Sequence, residues 1–128
     1  MSIKYSLIER GKPGVAGGGE KRWYAVVKND GEATIDDLVS EIEKFSSLSE
    51  SDIRGVIIAL ENVIQKQLAN GKIIRLDKLG SFYPSLSSGS AETEEKFNVS
   101  LIKGAKVNYR PGKRISDALS TAVFTKAK

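Results

Sequence analysis

Neither cysteine nor histidine occurs anywhere in the 128 residues. The double absence removes disulfides, cysteine nucleophiles, histidine general bases, haem ligation and the usual nitrogen–sulfur zinc site. No apolar run approaches the ~20 residues that a membrane-spanning helix requires. The first ten residues, Met1 to Arg10, alternate apolar and polar side chains instead of forming a signal-peptide core. What remains is an apolar fraction of 40%, enough for an ordered domain of ordinary size. These features describe a soluble, mildly basic, cytoplasmic binding protein without cofactor or metal, and not an enzyme. The carboxylates of Glu92, Glu94 and Glu95 lie in a polar stretch with no apolar wall to shift their ionisation, and no nucleophile stands beside a base.

The net charge is +4, from 20 basic and 16 acidic side chains, and its distribution is uneven. Residues 34–84 and 85–100 each carry an excess of carboxylates, whereas residues 101–128 carry seven cations against Asp117 alone. A basic carboxyl-terminal stretch is the footprint of polyanion contact, although solubility alone accounts for the same pattern.

The chain opens as two strands. Ile3, Tyr5 and Leu7 alternate with polar residues, and Arg22 to Lys28 is rich in aromatic and β-branched side chains before the Asn29-Asp30-Gly31 turn. Between them, the glycine-rich Gly11–Gly19 stretch, with Pro13, fails as a phosphate loop. It is followed by Glu20-Lys21 and a strand, where Lys-Ser/Thr and a helix are required. It reads instead as a flexible hairpin connection.

Two helices are expected next. Thr34 with Asp37 and Ser49 with Asp52 are capping pairs. Each precedes apolar residues at helical spacing, first Ile35, Leu38, Val39, Ile42 and Phe45, then Ile53, Val56, Ile57, Leu60, Ile64 and Leu68. Asn70-Gly71 ends the second. A major-groove-reading helix pair is disfavoured, because the amino end of the second helix carries Glu50 and Asp52 where base contacts would sit. From Lys72 to Tyr83 and from Phe97 to Tyr109 the chain reads as extended, with a polar excursion between. A last helix from about Lys113 has Ile115, Ala118, Leu119, Ala122 and Val123 on one face. A long two-stranded ribbon cannot stabilise itself, so a homodimer is expected.

In that order of elements, residues 34–124 resemble the bacterial histone-like HU and integration host factor family. Leu79-Gly80-Ser81-Phe82 is similar to the family's G-F-G-[ST]-F segment, and Tyr109-Arg110-Pro111-Gly112-Lys113 to its F-[KR]-P-G-K segment. The Lys21-Arg22-Trp23-Tyr24-Ala25-Val26 strand is similar to an HU-like branch with an amino-terminal strand extension, so residues 1–33 are expected as a β extension within a single structural unit. Trp23 there is expected to cover a sheet edge or helix face.

The resemblance implies an α+β fold: a two-helix hairpin, an antiparallel sheet with a long β-arm at about 84–105, a carboxyl-terminal helix and an intertwined dimer. It also implies sequence-tolerant binding of double-stranded DNA in the nucleoid, with no membrane and no small-molecule substrate as partner. Carried over by position, the implied DNA contacts are Lys72, Lys78, Lys103, Lys106, Arg110 and Lys113, with Arg75 and Arg114 as neighbours. The family's arm tip carries R-N-P-x-T-G, whose proline wedges into a base step. Ser87 to Lys96 here has no proline or arginine and three carboxylates, which a phosphate-lined groove repels. Binding through basic body and arm contacts is therefore expected without the wedge. An HU-like fold retained as a protein-interaction or assembly module is the alternative. Pro84, at the arm root, is expected as a bend or edge device.

Overall fold

A computed structural model describes residues 2–11, 14 and 16–128. The glycine-rich connection expected at Gly11–Gly19 therefore falls in part, at Lys12, Pro13 and Val15, outside the described residues. In chain order the elements are β1 (Ile3–Arg10), β2 (Arg22–Val27), α1 (Ile35–Phe45), α2 (Glu50–Ala69), β3 (Ile74–Arg75), β4 (Gly80–Ser88), β5 (Ile102–Pro111), α3 (Lys113–Ser120) and β6 (Phe124–Lys126). This is a mixed α+β protein with two small three-stranded sheets. The sequence reading drew 1–33 and 34–124 as parts of one structural unit. By its internal contacts the chain falls into two compact units, one of the residues up to Leu38 with Leu119–Lys128, and another of Val39–Ala118.

The carboxyl-terminal residues join the first unit because β6 is a strand, which no local pattern announced. The last helix stops at Ser120 instead of running through Val123. The Ile3 amide then donates to the Val123 carbonyl at 2.8 Å, and β6 pairs in parallel with β1, Ile3 opposite Phe124 and Tyr5 opposite Lys126. On the other side β1 and β2 are antiparallel, with Tyr5 opposite Val27 and Arg10 opposite Arg22. Period-two alternation gives this β2-β1-β6 sheet one face with Tyr5, Leu7, Ala25 and Val27 and another with Lys4, Ser6, Tyr24 and Val26. Trp23 stands on the outer strand with 64% of its surface open.

Both helix starts are set by the expected caps. The Asp37 amide bonds to the Thr34 hydroxyl at 3.3 Å, while the Thr34 amide and hydroxyl donate to the Asp37 carboxylate at 3.0 and 3.1 Å. Ser49 and Asp52 repeat the reciprocal pair at 3.2 and 3.4 Å. At the far end of α2, Gly71 adopts φ 81°, a left-handed conformation that glycine enters without a Cβ penalty. The two hydrogen bonds from Thr34 favour the ionised Asp37 carboxylate and hold its pKa below the ordinary 3.8, the backbone donor contributing most. A depressed carboxylate stabilises the fold above its unfolded pKa and loses that contribution as pH falls through the folded value. Helical circular dichroism is thus expected to decline as pH drops below about 3.8, and less so in Asp37→Asn, which has no such proton to take up. Equal acid sensitivity of the two proteins would contradict this cap.

In the second unit β3, β4 and β5 form an antiparallel sheet with β4 in the middle. Ile74 faces Phe82, and Phe82 faces Tyr109, their rings 5.2 Å apart. Pro84 lies opposite Val107, beyond the end of the two-residue β3, where β4 is open on one side and a missing N–H costs nothing. The run expected to be extended through Leu79 instead makes a helical turn at Asp77–Leu79, entered through Asp77 at φ 54° and closed by the Leu76 amide on the Gly80 carbonyl at 2.8 Å. Alternation then separates Ile74, Phe82, Pro84, Leu86, Ala105, Val107 and Tyr109 from Arg75, Ser81, Tyr83, Ser85, Lys106, Asn108 and Arg110. The end of α2 lies over part of the apolar side, where Leu68, Ala69, Pro84, Leu86 and Ala105 line a hollow of about 290 Å³. Among the described residues, only Val39 and Ile53 of the apolar side chains are fully buried.

Candidate nucleic-acid interface

Strand register, not sequence proximity, builds the cationic surface. Arg75 pairs with Ser81, and Ser81 with Arg110, so two guanidinium groups from β3 and β5 flank one small residue of β4. Lys106 sits opposite Ser85 on the same face, four residues along β5 from Arg110. Small hydroxyl side chains between the bases leave the cations free to reach outwards. The Arg110 guanidinium lies 5.9 Å from the centre of the Tyr83 ring, a cation–π contact that orients it over the sheet. Next to it, the Asn108 amide donates to the Ser85 hydroxyl at 2.7 Å. Ile73, Arg75, Ser81, Tyr83 and Arg110 line a shallow concavity of about 160 Å³. Hydroxyl, amide and guanidinium donors on an open surface match the groups that contact phosphate and sugar oxygens.

A second group gathers where β5 turns into α3. Lys78 and Arg114 line one hollow with Leu79 and Ile115. Lys113 opens the helix beside them. Their placement depends on two glycines. A Cβ on Gly112 would overlap the Lys78 carbonyl, and one on Gly80, at φ 131°, would lie 2.5 Å from the Arg110 carbonyl. The Gly112 amide instead donates to the Leu79 carbonyl at 3.2 Å, and the Tyr109 hydroxyl reaches the same oxygen at 2.6 Å.

Of the eight cations singled out by sequence, Arg75, Lys106 and Arg110 therefore share one sheet face, and Lys78, Lys113 and Arg114 share one corner. Two stand apart. Lys72 follows the end of α2, its amide bonded to the Gln67 carbonyl at 3.1 Å. Lys103 falls in the register shift where Ser87 faces Gly104 and Ser88 faces Ile102, and so lies in a bulge. The reading from sequence missed Tyr83, Ser85 and Asn108, which belong to the cationic face. The alternation of Ser81, Tyr83, Ser85 and Ser87 with Phe82, Pro84 and Leu86 was the available signal.

Strand pairing carries the hairpin as far as Ser88 and Ile102. Beyond it residues 89–101 form turns, in which Lys96 reaches Glu92 at 3.5 Å. Elsewhere, hydrogen bonding with Glu50 raises the Glu43 carboxyl above its ordinary 4.5 at the turn between the helices. Among the described residues no group of His, Cys, Asp or Glu is arranged to hold a metal ion, and no helix is long and apolar enough to cross a membrane.

The second unit thus gathers cations on one sheet face and at one helix start. Residues 1–126 match the family HU-HIG, described as an HU domain fused to wHTH, Ig, or glycine-rich motif, and the chain belongs to that family. No curated protein matches it. Among solved structures it is similar to a candidate bacterial DNA-binding protein from Bacteroides vulgatus ATCC 8482, with a TM-score of 0.64 and 12% identity over 98% of this chain. The chain spans about half of that protein, 49% of its length. At that identity the likeness is one of fold.

Proposed function

We propose that this protein is a sequence-tolerant, non-enzymatic binder of double-stranded DNA that acts as a homodimer on the nucleoid, in the cytoplasm. The observation that carries the reading is the single sheet face holding Arg75, Lys106 and Arg110 among hydroxyl and amide donors, with the Lys78–Arg114 corner beside α3 as its companion. Such a surface recognises phosphate without reading bases, so sequence preference is weak and affinity falls steeply with salt. Membership in an HU family supports it, as does likeness to a fold described as DNA-binding. The turn at residues 89–101 has no proline to wedge between base pairs, and its carboxylates oppose close approach to phosphates. Contacts of body and hairpin are therefore assigned the binding. The amino-terminal strands β1 and β2 are in keeping with a strand-extended branch of the family.

Dimerisation is supported by how little the chain buries alone. Val56 and Val63 on α2 and Phe45 on α1 are 60%, 53% and 87% exposed, and so are Leu86 and Val107 on the apolar sheet face at 63% and 55%. Water does not leave so much apolar area uncovered on a stable monomer. Sedimentation equilibrium is expected to give twice the chain mass of 13.9 kDa. Val56→Glu is expected to yield a monomer or an unfolded chain, whereas a stable, folded wild-type monomer would contradict the dimer. Saturable binding of labelled duplex DNA by the dimer at low salt tests the function itself, and a verified dimer that ignores DNA would leave the assembly-module reading.

A further inference from the structure

We propose that the first unit carries a second nucleic-acid contact, a lysine-lined hollow at one end of the β2-β1-β6 sheet that binds the phosphate backbone of a duplex. The proposal rests on the DNA-binding reading above but concerns residues outside the surface assigned there. A hollow of about 510 Å³ is lined by Lys4, Lys28, Asn29, Thr125, Lys126 and Lys128, among others, with Asp30 the one acidic side chain in its wall. No stretch of sequence contains this cluster. It arises because the Lys28 amide donates to the Lys4 carbonyl at 2.8 Å, while parallel pairing puts Thr125 beside Lys4 and Lys126 beside Tyr5.

The charge is available. Asp30 bonds Lys4 at 3.3 Å, but both side chains are exposed, and an exposed ion pair of this kind yields to a competing anion. Lys28, Lys126 and Lys128 have no ion-pair partner among the described residues. Geometry selects the kind of anion. Lys28, Lys4 and Thr125 are neighbours on one side of the sheet, while Lys126, beside Tyr5, is on the other, so the ammonium groups surround the sheet end from both sides across strands ~4.8 Å apart. Ammonium groups spread around a hollow of this size, with amide and hydroxyl donors from Asn29 and Thr125 among them, suit the successive phosphates of a polymer better than one small anion.

The test uses the whole 128-residue chain and labelled duplex DNA, with affinity measured by anisotropy across a salt series. Lys28→Gln with Lys126→Gln is expected to make the log–log salt slope shallower by about 1.8, from roughly 0.9 per lost phosphate contact. Lys28→Arg with Lys126→Arg is expected to keep the wild-type slope, and an unchanged thermal midpoint in both variants verifies the fold. An unchanged slope in the glutamine variant overturns the proposal, as does wild-type protein that fails to bind duplex at low salt. So does loss of binding to polyglutamate without change on DNA, which would assign the hollow to an acidic peptide. A parallel Arg75→Gln with Arg110→Gln variant separates the two ideas. A slope sensitive only to the lysines sinks the sheet-face reading and keeps the hollow, while sensitivity only to the arginines does the reverse.

Discussion

Gly112→Ala is expected to lower the thermal midpoint by roughly 10 °C. The added carbon would overlap the Lys78 carbonyl and crowd the Gly80 amide, 2.8 Å away. All of these are backbone atoms, so no rotamer change relieves the clash. The strands and the turn would have to separate, at a cost of about 3 kcal/mol for overpacking of this severity. That separation also removes the Gly112–Leu79 hydrogen bond and unseats the start of α3, where Lys113 and Arg114 are held. Gly104→Ala is the control. Its Cβ would meet nothing within 4 Å on the same strand, and alanine restricts the unfolded chain more than glycine does. Its midpoint is expected to stay level or rise slightly. Calorimetry on the two variants checks the contrast, and equal midpoints would remove the close approach of β5 to the Asp77–Leu79 turn as a structural constraint.

Arg75→Glu combined with Arg110→Glu is expected to weaken duplex binding by roughly 100-fold or more at about 50 mM salt, where each lost phosphate contact alone forfeits about tenfold. Both side chains are exposed, and they occupy the polar side of the sheet, so the fold is expected to survive. The two reversals leave Lys106 as the only basic group of the three on that face. Lys103→Glu tests the specificity of the effect. Lys103 stands in the bulge, outside the paired register, and its reversal is expected to cost much less. A gel-shift titration of the three proteins suffices. Equal losses for the bulge and the face would mean that total charge governs binding, and not the register that gathers the arginines.

Local chemistry made much of this fold legible. Thr34 with Asp37 and Ser49 with Asp52 announce α1 and α2 because their hydrogen bonds close within three residues, and Gly71 ends α2 for an equally local reason. The hairpin strands were visible as alternation. What escaped depended on distant partners. Phe124–Lys126 has no strand signature of its own and becomes β6 only by pairing with Ile3–Tyr5 at the other end of the chain. Likewise the Asp77–Leu79 turn is set by bonds to Leu76 and Gly80 and by the glycine contacts across the sheet, not by its own composition.

The candidate site divides along the same line. Its cations were identifiable one by one, from charge and from resemblance to a family motif. Which of them act together was not, because that requires the Arg75–Ser81–Arg110 register. The bulge at Lys103 is a single extra residue with no marker in the sequence. The lysines of the hollow, Lys4, Lys28 and Lys126, were passed over for the same reason, being scattered across both ends of the chain.

The most direct test of the central claim is the affinity of the wild-type protein for an unrelated pair of duplexes, measured over a range of salt concentrations. The account predicts saturable binding, nearly equal for the two sequences, with a log–log slope steeply negative and approaching about 0.9 for every phosphate contacted. Absence of binding at low salt, or binding indifferent to salt, would contradict it.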